Sequence, residues 1–326
     1  MPPDVSINLC CYNSQKYLEE TLQSVFSQTY KDWELVVINN GSTDRTEEII
    51  QRHISQGWPV IYHYQQNQGL GKARHKAVEL SSGRFIALID HDDLWMPEKL
   101  ERQMALFRER TELGLVYCDG TIIDGSGEIN SRYSDLYPIE RGNIFRKLMA
   151  RCFIPPVSAI LRREVFEKVG SFGAFKAAEE YDLFLKVAYQ YEIDYVDDTL
   201  FKYRWHGGNL SQLMREELHL ENIEIRRYWL GRVGDMRARC WIRREVSRAY
   251  SGYGSWLLEQ GRKKEARGSL LRSFRFFPYQ IGYLKYGLSW LSLPLARNSL
   301  KILRAFRAWL RKWIGVSHSV KMAMDE

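Results

Sequence analysis

The stretch Phe85-Ile86-Ala87-Leu88-Ile89-Asp90-His91-Asp92-Asp93 decides how this chain folds. Its unbroken apolar run reads as a strand buried on both faces, since a strand with one wet face would alternate apolar and polar residues. The carboxylates that follow repel one another unless a divalent cation sits among them; alternatively they cap the next helix. Working outward, the same grammar recurs. Val5-Ser6-Ile7-Asn8-Leu9-Cys10, Glu34-Leu35-Val36-Val37-Ile38 and Val60-Ile61-Tyr62-His63-Tyr64 read as strands. Helical periodicity covers Gln15 to Gln28, Thr43 to His53, Gly71 to Leu80 and Pro97 to Phe107. This alternation predicts an α/β fold with a mostly parallel central sheet flanked by helices. Ligands of such sheets bind beyond the carboxyl ends of the strands, which singles out Tyr12-Asn13, Asn39-Asn40 and Asp90 to Asp93.

The rhythm loosens after Leu113 into short strands, Gly-rich turns and two helices, Asn143 to Ala150 and Tyr181 to Tyr191. Beyond Asn209 the chain reads as helical, with Tyr250-Ser251-Gly252-Tyr253-Gly254 as a punctuation and Trp256 to Pro278 spaced like one helical-hairpin repeat. The 326 residues leave room for about two domains. With 45% hydrophobic and 27% charged residues, disordered and collagen-like classes are excluded. The net charge of +7 is unevenly held: residues 1–209 carry −6 and residues 210–326 carry +13. We therefore expect two regions with different roles, a domain over 1–209 and a basic helical region over 210–326. The five scattered cysteines fit a reducing compartment, and the N-terminal residues lack a basic, then apolar, leader pattern, so a cytoplasmic location is expected.

Five constellations occur in order: Tyr12-Asn13, Asn39-Asn40-Gly41-Ser42-Thr43-Asp44, Asn67-Gln68-Gly69-Leu70-Gly71-Lys72-Ala73-Arg74, Ser82-Gly83-Arg84 and the cluster Asp90-His91-Asp92-Asp93, with a further acidic motif, Glu179-Glu180-Tyr181-Asp182, opening a helix. Together they resemble the family 2 glycosyltransferases, whose nucleotide-sugar-binding α/β fold is called GT-A. The resemblance covers about residues 4 to 209 and implies a nucleotide-sugar half over about 1–112 and an acceptor half over about 113–209. It implies that Tyr12 lies near the base, that Asn40 or Asn39 meets the base edge, and that Asp90 touches the ribose. It further implies that Asp92 binds Mn²⁺ or Mg²⁺ and that Glu180 is the catalytic base of an inverting transfer, with a UDP-sugar as the default donor. Lys72 and Arg74, at a helix start, suit a diphosphate. Tyr203-Arg204-Trp205-His206-Gly207-Gly208-Asn209 resembles the segment that closes over the diphosphate, with His206 supplementing Asp92 on the metal and Arg204 on phosphate. The sequence departs from the family pattern at Cys11, where Pro is usual, at Asn39-Asn40, where an acidic pair is usual, and at Glu180, where Asp is usual. A nucleotide-sugar-binding protein with little turnover is the alternative reading.

Near the C-terminus, the run from Ser299 to Ile314 separates at about 100° per residue into two arcs. Ile302, Leu303, Phe306, Trp309, Leu310, Trp313 and Ile314 share one; Lys301, Arg304, Arg307, Arg311 and Lys312 share the other. Such a helix suits an anionic membrane surface, predicting peripheral attachment to the inner face of the cell membrane. The acceptor is then a glycan or a lipid-linked one. Its basic residues lie opposite the aromatics rather than among them, which argues against nucleic acid as a partner.

Overall fold

The computed structural model describes residues 2–173 and 175–278, with 285–287, 289, 290, 299 and 301. Contacts divide the chain into two compact units, Met1–Leu218 and His219–Glu326. The strands of the first unit are β1 (Val5–Cys11), β2 (Trp33–Asn39), β3 (Val60–Tyr64), β4 (Phe85–Asp90), β5 (Leu94–Trp95), β6 (Leu113–Ile123), β7 (Ile129–Arg132), β8 (Ile160–Arg162) and β9 (Glu192–Arg204). They form one sheet in the order β3-β2-β1-β4-β8-β6-β9-β5, with β7 paired to β6. Its helices are α1 (Leu18–Phe26), α2 (Thr46–Ser55), α3 (Leu70–Leu80), α4 (Lys99–Glu109), α5 (Tyr133–Leu136), α6 (Phe145–Ala150), α7 (Arg163–Val169), α8 (Glu179–Gln190) and α9 (Leu210–Leu213).

The apolar runs are unbroken because alternate residues enter two different layers. Ile7, Leu9, Leu35 and Val37 pack with Leu18, Leu22 and Val25 of α1. Cys10, Val36 and Ile38 pack with Ala73 and Ala77 of α3 on the other face. Strands β3, β2, β1 and β4 are mutually parallel, as the sequence predicts. The other half is mixed: β8 runs antiparallel to β4 and to β6, while β9 is parallel to β6 and antiparallel to β5. The long pair β6 and β9 slips register around Cys118 to Gly120. Gly120 is needed there, since a Cβ would stand 2.6 Å from the Phe201 ring.

One lysine side chain is enclosed among the described residues of this unit. Lys99 is fully buried, its Nζ 4.2 Å from the centre of the Trp95 ring and 2.7 Å from Oε1 of Gln103. Burial lowers this ammonium to a pKa of about 8.

Helix α10 (Arg215–Arg232) crosses from one unit into the next, and the second unit holds α11 (Met236–Glu259) and α12 (Lys263–Phe276). Residues Tyr250 to Gly254, expected to punctuate, lie inside α11 instead. Gly254 serves a close helix crossing: a Cβ there would meet Leu270 Cγ at 2.7 Å, and Ser269 Oγ of α12 donates to the Tyr250 carbonyl at 2.8 Å. Thus α11 and α12 form a helical hairpin around Leu257, Leu258, Ala266 and Leu270. None of the five cysteines forms a disulfide among the described residues. The amphipathic run from Ser299 to Ile314 lies outside the described residues, apart from 299 and 301. No described helix is long and apolar enough to cross a membrane.

Candidate active site

Parallel register sets Cys11 beside Asn39 and Cys10 beside Asp90, so three strands deliver their final residues to one edge of the sheet. The loops after β1 and β2 are stitched together there. Asn13, held at φ 49°, donates its N–H to Ser42 Oγ and accepts from the Thr43 N–H at 2.8 Å. Ser14 N–H donates to Thr46 Oγ1 and Gln15 N–H to Asp44 Oδ2. Tyr12 stays 49% exposed beside this lattice.

The two asparagines face inward. Asn39 is fully buried, its amide donating to Tyr62 Oη at 3.1 Å and its Oδ1 accepting from Ser42 N–H. Asn40 accepts from Gln65 Nε2 at 2.9 Å and from the Gln68 N–H, and donates to Asn67 Oδ1. Both amides therefore brace the loops that follow β2 and β3. Lys72 is exposed in the first turn of α3.

Arg74 is 4% exposed, and its guanidinium reaches Asp90 Oδ1 at 2.7 Å, Glu179 Oε1 at 2.8 Å and Glu180 Oε2 at 3.6 Å. The approach depends on Gly71, where a Cβ would lie 2.6 Å from the Gly173 carbonyl. Expected on a donor diphosphate, Arg74 is instead enclosed among carboxylates, because the start of α3 packs directly onto the segment leading to α8. Burial and the neighbouring Glu180 push the Glu179 carboxyl up to about 8. Glu179 Oε2 has no hydrogen-bond partner among the described residues. Glu180 keeps 21% of its side chain exposed, and burial raises its pKa above the usual range while Arg74 partly offsets this. Of the two acids at the start of α8, Glu180 is the one with a path to solvent.

The second cluster gathers Asp92, Asp93, Arg204 and His206. His206 Nε2 stands 2.9 Å from Asp92 Oδ2, across 114 positions of sequence. Although burial opposes it, the hydrogen bond with His206 holds the Asp92 carboxyl below its ordinary range. Burial and the Asp92 charge push Asp93 well above its range; its Oδ1 accepts the Arg204 N–H at 2.8 Å. Arg204, 2% exposed, donates from Nε to the Asp92 carbonyl at 2.9 Å and from its far nitrogen to Glu20 at 2.6 Å. Its guanidinium lies 4.4 Å from the centre of the Tyr17 ring, which also packs 5.0 Å from His206. Tyr17 and Glu20 were not singled out from the sequence. Their roles arise only from the way α1 crosses this loop, and no local pattern marks them.

A divalent ion fits between Asp92 and His206. Two neighbouring ligands of an octahedral ion at about 2.1 Å stand about 3.0 Å apart, close to the separation seen. Among the described residues no cluster supplies three such ligands, so the remaining positions would fall to water and substrate phosphate.

A sequence profile described as Glycosyl transferase family 2 matches residues 6–170, which spans the sheet edge, Arg74 and the acidic cluster. The chain belongs to this glycosyltransferase family. An uncharacterized glycosyltransferase of Rickettsia typhi is 28% identical over 235 residues, 70% of this chain and 71% of the other. The Bacillus subtilis protein TuaG, whose name assigns it to teichuronic acid biosynthesis, is 37% identical over 130 residues, 37% of this chain and 51% of its own. The fold is shared with Staphylococcus aureus TarS solved with UDP-GlcNAc (TM-score 0.56, 18% identity, 83% of this chain and 89% of that one). It is shared too with the mannosyltransferase PcManGT of Pyrobaculum calidifontis, solved with GDP-Man and Mn²⁺ (TM-score 0.60, 17% identity, 95% and 83%).

Proposed function

We propose that this glycosyltransferase moves a sugar from a nucleoside-diphosphate sugar to a hydroxyl of a glycan or lipid-linked acceptor, with inversion and with a divalent ion. The observation carrying the proposal is that Arg74 ties Glu180 to Asp90 at the end of β4, two residues before Asp92. Glu180 is a partly exposed carboxylate of raised pKa, and the Asp92 and His206 pair is a ready seat for a cation. A base with a raised pKa is better matched to taking a hydroxyl proton near neutral pH. Attack from one side with departure on the other inverts the anomeric centre. An ion held by Asp92 and His206 would neutralise charge on the departing diphosphate. Arg74 keeps Glu180 and Asp90 in register, and Arg204 fixes the loop that carries Asp92. Lys72 is an exposed cation of the α3 start that can reach a phosphate. Tyr12 offers a free ring for a base, whereas Asn39 and Asn40 act through the loops they brace. TarS with UDP-GlcNAc and PcManGT with GDP-Man and Mn²⁺ support this donor class and a metal.

The test is thermal melting of the purified protein with UDP-, GDP- and dTDP-sugars, with and without Mn²⁺. One nucleotide family raising the Tm only with Mn²⁺ is the expected result. Stabilisation by none of them, in folded protein, rejects the proposal. A stabilised protein that neither transfers nor hydrolyses the sugar would be a binder without turnover.

A further inference from the structure

The second unit carries a cleft of about 380 Å³ that has no part in the chemistry above. It lies where the end of α10, the start of α11 and the last turn of α12 meet, and its lining includes Leu230, Met236, Arg239, Arg243, Arg275 and Phe276. Met236, Arg239 and Arg243 recur at helical spacing on one face of α11. All three arginines are exposed, and none forms an ion pair among the described residues. Asp235 caps α11 by accepting the Ala238 N–H at 2.8 Å, and Glu245, two positions beyond Arg243, is buried and paired with Arg248 at 2.7 Å. Three guanidinium groups converging on a concave surface repel one another, and an anion relieves that repulsion through paired N–H donors matched to phosphate oxygens. The other part of the wall is apolar, and Met236 leaves 78% of its surface in water. A bare phosphate gives Leu230, Met236 and Phe276 nothing to cover.

We propose that this cleft binds the phosphate head of an anionic amphiphile, the arginines holding the phosphate and the apolar residues holding the start of its chain. The site stands apart from the transferase reading and survives its failure.

The test is co-sedimentation of the full chain with phosphatidylcholine vesicles, with and without phosphatidylglycerol, in EDTA so that no divalent ion contributes. Binding is expected only with phosphatidylglycerol, and Arg239→Gln/Arg243→Gln/Arg275→Gln weakens it about a hundredfold. Melting temperature and donor hydrolysis of that variant stay at the parent values. Should the triple variant melt early, Arg239→Gln and Arg275→Gln singly carry the same test, each with about a fivefold loss. Unchanged binding by the cleft variants overturns the proposal, as does a loss confined to Lys301→Gln/Arg304→Gln/Arg307→Gln. Met236→Ser/Phe276→Ser is expected to weaken short-chain phosphatidylglycerol about tenfold while sparing inorganic pyrophosphate. Equal affinity of the parent for pyrophosphate and the short-chain lipid overturns the amphiphile.

Discussion

Two buried arginines organise the catalytic unit, and they do so differently. Arg74 reaches the side chains of Asp90, Glu179 and Glu180, so its influence is mainly one of charge. Arg204 reaches the Asp92 carbonyl, the Tyr17 ring and the largely exposed Glu20, so its influence is mainly one of shape. The first governs where protons sit on Asp90, Glu179 and Glu180. The second governs where the loop carrying Asp92 stands. The same side chain performs both because the guanidinium is at once a permanent charge and a rigid fork of donors.

Four variants would break or sharpen this contrast. Glu180→Gln removes the acid that Arg74 steadies, and turnover should fall by about 10²–10⁴ while the Tm holds. Near-normal turnover would remove the base from the Arg74 cluster. Arg74→Met leaves buried carboxylates without their cation and should cost about 3–5 kcal/mol in urea unfolding at neutral pH, less under acid as those carboxyls protonate. The pH profile distinguishes the two arginines further. A base works only deprotonated, and the Glu180 pKa is raised above 4.5, so kcat/KM should fall as pH drops through that raised value. Since Arg74 lowers the Glu180 pKa, Arg74→Met should carry this acidic limb to higher pH, whereas Arg204→Lys should leave it in place. Arg204→Lys should instead weaken Mn²⁺ about 10–100-fold, measured by titration of the ion against activity or Tm. Smallest is Glu20→Gln: with 58% of its side chain exposed, the loss of its pair with Arg204 should stay within about 1 kcal/mol.

The parallel half of the sheet was legible because each strand is buried on both faces and so writes an unbroken apolar run. Strand β9 writes nothing of the kind: Glu192, Asp194, Asp197 and Asp198 interrupt it, and the slip opposite Cys118 to Gly120 breaks its alternation. Its place beside β6 comes from tertiary pairing. The same limit applies to the site. The sequence marks Asp92, Glu180 and His206 as polar residues at the ends of elements, but the enclosure of Arg74 depends on Glu179, 105 positions away. Asn39 and Asn40 read as a free polar pair at a strand end; which way their amides turn is decided by Tyr62 and by Gln65 to Gln68, which the local spacing does not express.

Lys99 turns the core into its own timekeeper. An amine-acylating reagent meets the surface lysines at once, but it can modify this one only when the layer holding Trp95 and Gln103 opens. The rate at which that single site gains mass therefore reports the frequency of large openings of the catalytic unit, read without denaturant. With a pKa near 8 rather than 10.5, the amine is largely uncharged in mildly alkaline buffer while enclosed. Raising pH from 8 toward 10.5 should thus steady the fold and slow that clock, once the reagent's own pH dependence has been divided out.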